Sequence, residues 1–578
     1  MEFVSKLWNA NTPLFMLVAG LIVVIPFIVF YVRKALREHP KGLIPAALSN
    51  MGERFGYYIM NAVLTLFICS KFGVPDKTAG IMFAIFYFLI YVLSLPGGII
   101  ADRTKNYKGT IISGLVVMAV GYAILSIPVF SGHGFSWVMV LTMLALIIIA
   151  CGNGLFKGNL QAVVGQLYDD FEAEAAKKGP EALAKAKEKR DTGFQIFYVF
   201  INVGGVIAPF IAPIIRNWWL QAHNMVYNAD LPKLCHDFVA NSDAMKPEAI
   251  TNLTDLVAKQ PELATQGVDM TQFCDSYITV FNTGVHFAFI ASVAAMLISL
   301  TIFLCTKKGL PNPVKKVTNV QEENAVTYTP EEKAAVAKDI KQRMAGLYAV
   351  LGVCVFFWFA FHQNGESLAL FARDFIQNDS IPPEIMQCIN PFFVIILTPI
   401  IMWLFAALAR KGKEISTPKK IAYGMGIAAC AYVFLVALCG TLGYNSPDFY
   451  NGSVPTGIKV GPWALIVTYF FLTVAELFIS PLGLSFVSKI APKHIQGICQ
   501  GLWLSATAIG NLLILLGPFL YNGMPSCGCA GWCLPSFASW LWLLCSACSN
   551  GSSASRPTTS KRIAFSDKSK PLRIGAAL

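Results

Sequence analysis

Glu53, Arg54, Lys157 and Glu476 stand inside stretches that are otherwise almost wholly apolar. An isolated charge in hydrocarbon is strongly disfavoured, so such groups pair or face water, and they mark a transport path or a proton relay. Glu53 and Arg54 belong to Asn50-Met-Gly-Glu53-Arg54-Phe-Gly-Tyr57-Tyr58-Ile-Met-Asn61, where Asn50, Glu53, Tyr57 and Asn61 are spaced by 3, 4 and 4. That spacing lines them along one side of a helix. Lys157 is the lone charge of its stretch, within Gly152-Asn-Gly-Leu-Phe-Lys157-Gly-Asn159. Glu53 is its expected partner: protonating the carboxylate releases the ammonium, which is the physical basis of a proton-operated switch. The alternative is a static pair that only holds two helices together.

Glu476 lies in Ala475-Glu-Leu-Phe-Ile-Ser480-Pro481-Leu-Gly483-Leu-Ser485. The polar, Pro/Gly-interrupted run has the character of the broken helices that surround substrate sites at the membrane midplane. His362, Gln363, Asn364 and Glu366 form a further polar cluster after Trp358. His362 reads equally as a hydrogen-bonded helix contact and as a proton carrier. Arg373 and Asp374 read as an outer gate or as solvated helix-end charges. In Gly97-Gly98-Ile-Ile-Ala101-Asp102-Arg103 the glycines allow close helix approach and the charges can cap helix ends, so Gly98, Asp102 and Arg103 form an expected conformational latch. No nucleophile with its base, metal set or phosphate loop accompanies these residues, so an enzyme is not the reading, and no metal or other cofactor is expected.

Such groups need membrane spans to carry them. Of the 578 residues, 55% are apolar and 13% charged, against about 45–50% and about 25% in soluble domains. Apolar runs long enough to cross a bilayer fall near 13–32, 43–70, 79–101, 109–130, 136–163, 192–216, 278–305, 345–372, 384–409, 419–443, 461–489 and 497–521. A weaker thirteenth, 530–548, contains Pro535. Segments 33–41, 102–109, 164–191, 306–344, 410–420 and 489–496 hold 28 Lys and Arg, and the alternate set about a third of that number. The asymmetry puts the first set in the cytoplasm and the N-terminus outside. The +12 net charge comes from these short basic loops, which excludes a nucleic-acid-binding domain.

The expected organisation is an extra N-terminal helix with its basic linker (1–42), a six-helix bundle (43–305), a cytoplasmic linker (306–344), a second bundle (345–525) and an anomalous tail (526–578). Residues 168–191 have the composition of a solvated surface helix. The outer loop 217–277 contains Cys235 and Cys274, which form a disulfide or remain two free thiols. Of the 30 residues 526–555, 16 are Ser, Cys or Trp. An out-of-frame reading of a twelfth-helix gene segment yields that composition; a degenerate helix followed by a disordered tail is the other explanation.

Together the motifs resemble the proton-coupled oligopeptide transporter family of the major facilitator superfamily. The stretch Asn50–Tyr58 is similar to that family's E-x-x-E-R-F-x-Y-Y, Gly98–Arg103 to its G-x-x-x-D-R loop and Gly152–Asn159 to G-x-G-L-x-K-x-N. Phe197–Gly204 and Glu476–Ser485 resemble its fifth- and tenth-helix motifs. The resemblance implies an all-α membrane protein with the major-facilitator fold, two six-helix bundles around a cavity for di- and tripeptides, with the helix at 13–32 as an addition. Carried over, Glu53, Arg54 and Lys157 are the proton-coupling cluster. Tyr57, Tyr58, Asn61, Tyr91, Lys157, Asn202, Trp358, His362, Glu476 and Trp503 line the substrate cavity, with Glu476 on the peptide's ammonium. Asn50 departs from the family's first Glu, Asn61 from an arginine near the peptide carboxylate, and His362 from an acid of the seventh helix. The expected activity is proton-driven import of small peptides without a cofactor, in a bacterial inner membrane, with peptides, protons and lipid as partners and no obligatory protein partner. Transport of another small solute, or a non-transporting sensor or scaffold, are the alternatives.

Overall fold

The computed structural model of the chain describes residues 2–104, 106–129, 136–245, 247–261, 267–311, 330–377, 381–412, 415, 417–443, 459–490 and 496–516. The tail 526–578, the end of the span 497–521 and much of the 306–344 linker lie outside them. Among the described residues the regular structure is helical, with a single isolated parallel bridge between Ile376 and Val460. Eleven helical segments are long and apolar enough to cross a membrane, and Leu502–Leu513 is a shorter apolar piece of the twelfth expected span. In a bilayer every backbone group must be satisfied within the segment, which is why these apolar runs are helices.

Helix α1 (Glu2–Glu38) precedes the N-terminal half, which comprises α2 (Leu43–Phe72), α3 (Asp76–Val92), α4 (Ser94–Thr104), α5 (Tyr107–Leu125), α6 (Trp137–Ala176), α7 (Pro180–Ala222), α8 (Leu231–Asn241), α9 (Pro247–Ala258) and α10 (Met270–Thr306). The C-terminal half holds α11 (Pro330–Phe361), α12 (Ser367–Asp374), α13 (Ile389–Arg410), α14 (Thr417–Thr441), α15 (Trp463–Ile490) and α16 (Gln496–Leu513). The apolar body of α1 faces outward along most of its length. Near the middle of the helix Val24 is fully buried against Val199, Val203 and Val206 of α7 and Ile395 of α13. The added helix therefore touches both halves.

Helix α2 is the axis of the N-terminal half. Small residues let α10 lie against it: Ser292 donates to the Gly56 carbonyl at 3.0 Å and Ser299 to the Ser49 carbonyl at 2.6 Å. On the other side of α2 the stripe Asn50, Glu53, Tyr57 and Asn61 is buried throughout.

The structure refines the expected elements. Residues 168–191 are helical and mostly exposed or half-buried, as the ends of α6 and α7, which reverse at Lys177–Gly179, where Gly179 takes φ of 119°. Arg190 ties the hairpin with bonds to Asp169 (2.7 Å) and Glu172 (3.3 Å). Helix α15 passes uninterrupted through Pro481 and Gly483, since a membrane helix tolerates the one hydrogen bond that proline removes. The span 345–372 is instead divided, by a 3-10 turn at His362–Gly365. The Gly365 carbonyl, freed from the helix ladder, accepts from Thr65 of the other half at 2.9 Å. Finally, loop 217–277 is largely the helical pair α8 and α9; Cys235 and Cys274 are buried side by side there and stand as free thiols.

The halves meet at the level where α2 ends and α3 begins. Arg373 of α12 binds Asp76 of α3 through two bonds of 2.8 and 2.9 Å and also holds Asp374. Arg216 of α7 donates to Glu384 at 2.5 Å, and Lys459 to Asp230 at 2.9 Å. The described hydrogen bonds between the halves run from this level down to mid-depth, so the halves are closed together on this side. Arg373 and Asp374 are thus buried members of this closure, not solvated charges.

Candidate functional site

The α2 stripe and the start of the α7 and α15 motifs converge on the centre. Glu53 is completely buried, and the planar guanidinium of its neighbour Arg54 grips it through two bonds, of 2.6 and 2.8 Å. Asn153 of α6 donates to the same carboxylate at 2.8 Å. Lys157 is not its partner. The ammonium lies 4.1 Å from the centroid of the Tyr91 ring, and Glu53 and Arg54 act on it through space with opposite sign. The expected Glu53–Lys157 pair yields to geometry: a two-pronged fork on the adjacent residue satisfies both carboxylate oxygens, which a single ammonium cannot.

Above this cluster an aromatic column rises. Arg54 sits 4.7 Å from the Tyr57 ring, Tyr57 packs edge-on to Tyr58, and Tyr87 lies between Tyr57 and Tyr91. Tyr57 donates to Asn61 at 3.3 Å, and Asn61 donates onward to Gln387 at 3.2 Å. An amide pair therefore occupies the place where the resemblance expects an arginine.

His362 stacks on Trp358 at 5.0 Å and meets Tyr87 at 5.1 Å. Its Nδ1 contacts Asn511 Oδ1, while the Asn511 amide nitrogen donates to the Tyr87 carbonyl at 3.2 Å. That second bond fixes the amide's orientation, so His362 carries its proton on Nδ1 and keeps the lone pair on Nε2. The hydrogen-bonded helix contact is thus present, and the free Nε2 leaves proton carriage open.

Glu476 is held by neutral donors alone among the described residues. Tyr198 donates to one oxygen at 2.8 Å and Asn390 to the other at 3.0 Å, with Asn390 also bound to Thr473. Asn202 donates to the Tyr198 carbonyl at 3.0 Å and so supports the tyrosine that holds this carboxylate. Tyr58 and Tyr91 are within electrostatic reach of both Glu53–Arg54 and Glu476, which links the two clusters through these rings. Trp503 of α16 is buried in the apolar core that runs through both halves.

Sequence reasoning missed Tyr198, Asn390, Asn153, Tyr87 and Asn511. The signals were there: an amide near the start of an apolar span (Asn390), and a tyrosine within the Phe197–Gly204 motif.

The expected latch is partly corrected. Gly97, not Gly98, makes the close approach: a Cβ at Gly97 would meet the Gly154 carbonyl at 2.1 Å, whereas one at Gly98 meets nothing within 4 Å. Asn159 donates to the Gly97 carbonyl at 3.2 Å, locking α4 to α6. Arg103 is exposed, and the Asp102 side chain lies outside the described residues.

Similarity to known proteins agrees with this architecture. "Peptide transporter YePEPT" of Yersinia enterocolitica is 27% identical over 495 residues, covering 82% of this chain and 86% of that protein. "Dipeptide and tripeptide permease B" of Salmonella typhimurium is 25% identical over 482 residues, covering 83% and 86%. A crystal structure of a POT family transporter in complex with a thioalcohol conjugated peptide shares the fold, with a TM-score of 0.62 and 19% identity over 90% of this chain and 98% of that one. The model of the POT family matches residues 108–333 and 310–524. That match takes in well over half of the molecule, and the chain belongs to the POT family.

Proposed function

We propose that the chain is a proton-coupled symporter that imports di- and tripeptides by alternating access, without a cofactor, across a bacterial inner membrane with its N-terminus outside. One observation carries the reading: an ammonium, Lys157, and a carboxylate, Glu476, each held by uncharged groups, both act on Tyr91, the first resting over its ring and the second within electrostatic reach of it. A peptide zwitterion needs that pair, its carboxylate against Lys157 and its ammonium against Glu476. Tyr57, Tyr58, Tyr91, Trp358, His362 and Asn61 wall the space between, and Asn202 supports Tyr198. Glu53, gripped by Arg54, is the proton-responsive group: protonation loosens Arg54, whose field opposes the Lys157 charge, and so couples the proton to the substrate's cation.

The amide pair Asn61–Gln387 favours a second reading, a relative carrying another small solute, because neither group brings charge to a carboxylate. Uptake of labelled dipeptide into proteoliposomes under an inward proton gradient decides. Accumulation abolished by Glu53→Gln supports the symporter. Absence of any peptide binding points to the other solute, and binding without accumulation to a sensor.

A further inference from the structure

Glu366 is completely buried, in the break between α11 and α12, one turn beyond His362 and two turns before Arg373. Its Oε2 contacts the Ser367 hydroxyl, and its Oε1 has no hydrogen-bond partner among the described residues. The Ser367 hydroxyl also reaches Gln363 Oε1 at 2.6 Å. A hydroxyl has one proton to donate, and an amide oxygen can only accept. The buried Gln363 amide nitrogen has no partner among the described residues, so with the amide turned it donates to Ser367 while Ser367 donates to Glu366 Oε2, and the carboxyl oxygen Oε1 is the group left unbonded.

The unbonded Oε1 and the charges around the site point to a neutral acid. Arg373 is committed to Asp76 and Asp374, Arg216 to Glu384, and Lys459 to Asp230, while Lys71 of α2 bonds His286. The charged group that acts on Glu366 is Asp76, an anion. A buried carboxyl facing an anion, with one oxygen unbonded and no cation of its own, is stable as the neutral acid.

We propose that Glu366 carries a proton of the transport cycle, bound while the Asp76–Arg373 bridge is closed. The inference rests on the symport reading and adds a carboxyl to the coupling cluster at Glu53. When that bridge parts, water from its side reaches the site: a hydronium O–H bond breaks as the carboxyl O–H bond forms, leaving water. Release reverses the step toward the cavity, where His362 Nε2 is the nearest base along the chain.

The test uses the full chain in proteoliposomes, with labelled dialanine as probe. Glu366→Gln keeps the shape and neutrality of the acid but cannot titrate. Counterflow exchange without a gradient should stay within about twofold of wild type, while gradient-driven accumulation falls about tenfold or more. Unchanged accumulation and an unchanged proton-to-peptide ratio overturn the proposal. So does a parallel loss of both modes that the titratable Glu366→Asp does not relieve, which marks a structural role. If wild type accumulates no peptide, the transport reading fails separately. The infrared carbonyl band of a buried carboxylic acid, expected in purified wild type at neutral pH and missing in Glu366→Gln, then still decides; without that band in wild type the proposal is wrong.

Discussion

The Lys157 ammonium rests 4.1 Å from the centroid of the Tyr91 ring, so the cation expected to answer Glu53 is held by an aromatic face. The ring's quadrupole stabilises the charge without neutralising it, which leaves Lys157 available to a ligand anion. Such contacts contribute about 0.5–2 kcal/mol. Tyr91→Leu should therefore raise the peptide KM between about twofold and thirtyfold, whereas Tyr91→Phe, which keeps the ring, should stay near wild type in the uptake assay.

Glu476 owes its position to Tyr198 and Asn390, donors on opposite sides of the interface between the halves. A hydrogen bond to a charged group is worth about 1.5–3 kcal/mol. Tyr198→Phe and Asn390→Ala should each weaken peptide binding by about tenfold or more, measured by calorimetry on purified protein. An unchanged Kd in both variants would remove Glu476 from the substrate site.

Arg216 is wholly buried, with its guanidinium 4.0 Å from the Tyr227 ring and bonded to Glu384. Removing one partner of a buried pair costs about 3–5 kcal/mol, because the other charge stays uncompensated. Arg216→Met should lower the Tm distinctly, and the double variant with Glu384→Gln should recover most of the loss. Equal Tm values for the single and double variants would mean that the pair does not couple.

Closure of the halves should depend on pH through Asp230. Burial raises its carboxyl above the usual range, and Lys459 offsets this only in part. A raised value in the closed form means that closure binds the proton more tightly than the solvated residue does, so acidification favours closure. The gain starts as pH falls through the raised value, is complete below the ordinary 3.8, and is lost as pH rises. Spin-label distances between the start of α3 and the end of α12 should shift to the short population on acidification, and Asp230→Asn should flatten that response.

The close contact at Gly97 makes a sharp comparison with its neighbour. Gly97→Val would drive a side chain into the Gly154 carbonyl and should abolish stable expression or uptake. Gly98→Ala meets open space and should change stability by no more than about 0.5 kcal/mol.

The stripe on α2 was legible in the sequence because helical spacing alone puts Asn50, Glu53, Tyr57 and Asn61 on one line, and all four are buried there. The support of Glu476 was not, since Tyr198 is 278 residues away in the chain and Asn390 is 86 away. The Glu53–Lys157 pair failed for a different reason: balancing charges takes no account of reach and shape, and Arg54 was already beside Glu53. Proline misled in the same way. Pro481 marked an interruption that the helix does not make, while the real break at His362–Gly365 contains no proline and depends on Thr65 from the opposite half.

Helix α1 bears on how the halves can move. Its Val24 seat spans α7 and α13, which must shift relative to each other if access alternates. In water, parting that seat would expose valine and isoleucine to an unfavourable solvent. In a bilayer the replacement neighbour is an acyl chain as apolar as they are, so the loss is confined to packing. The added helix can thus ride along the seam like a bearing in oil, following the swing of either half without resisting it with the force of hydrophobic burial.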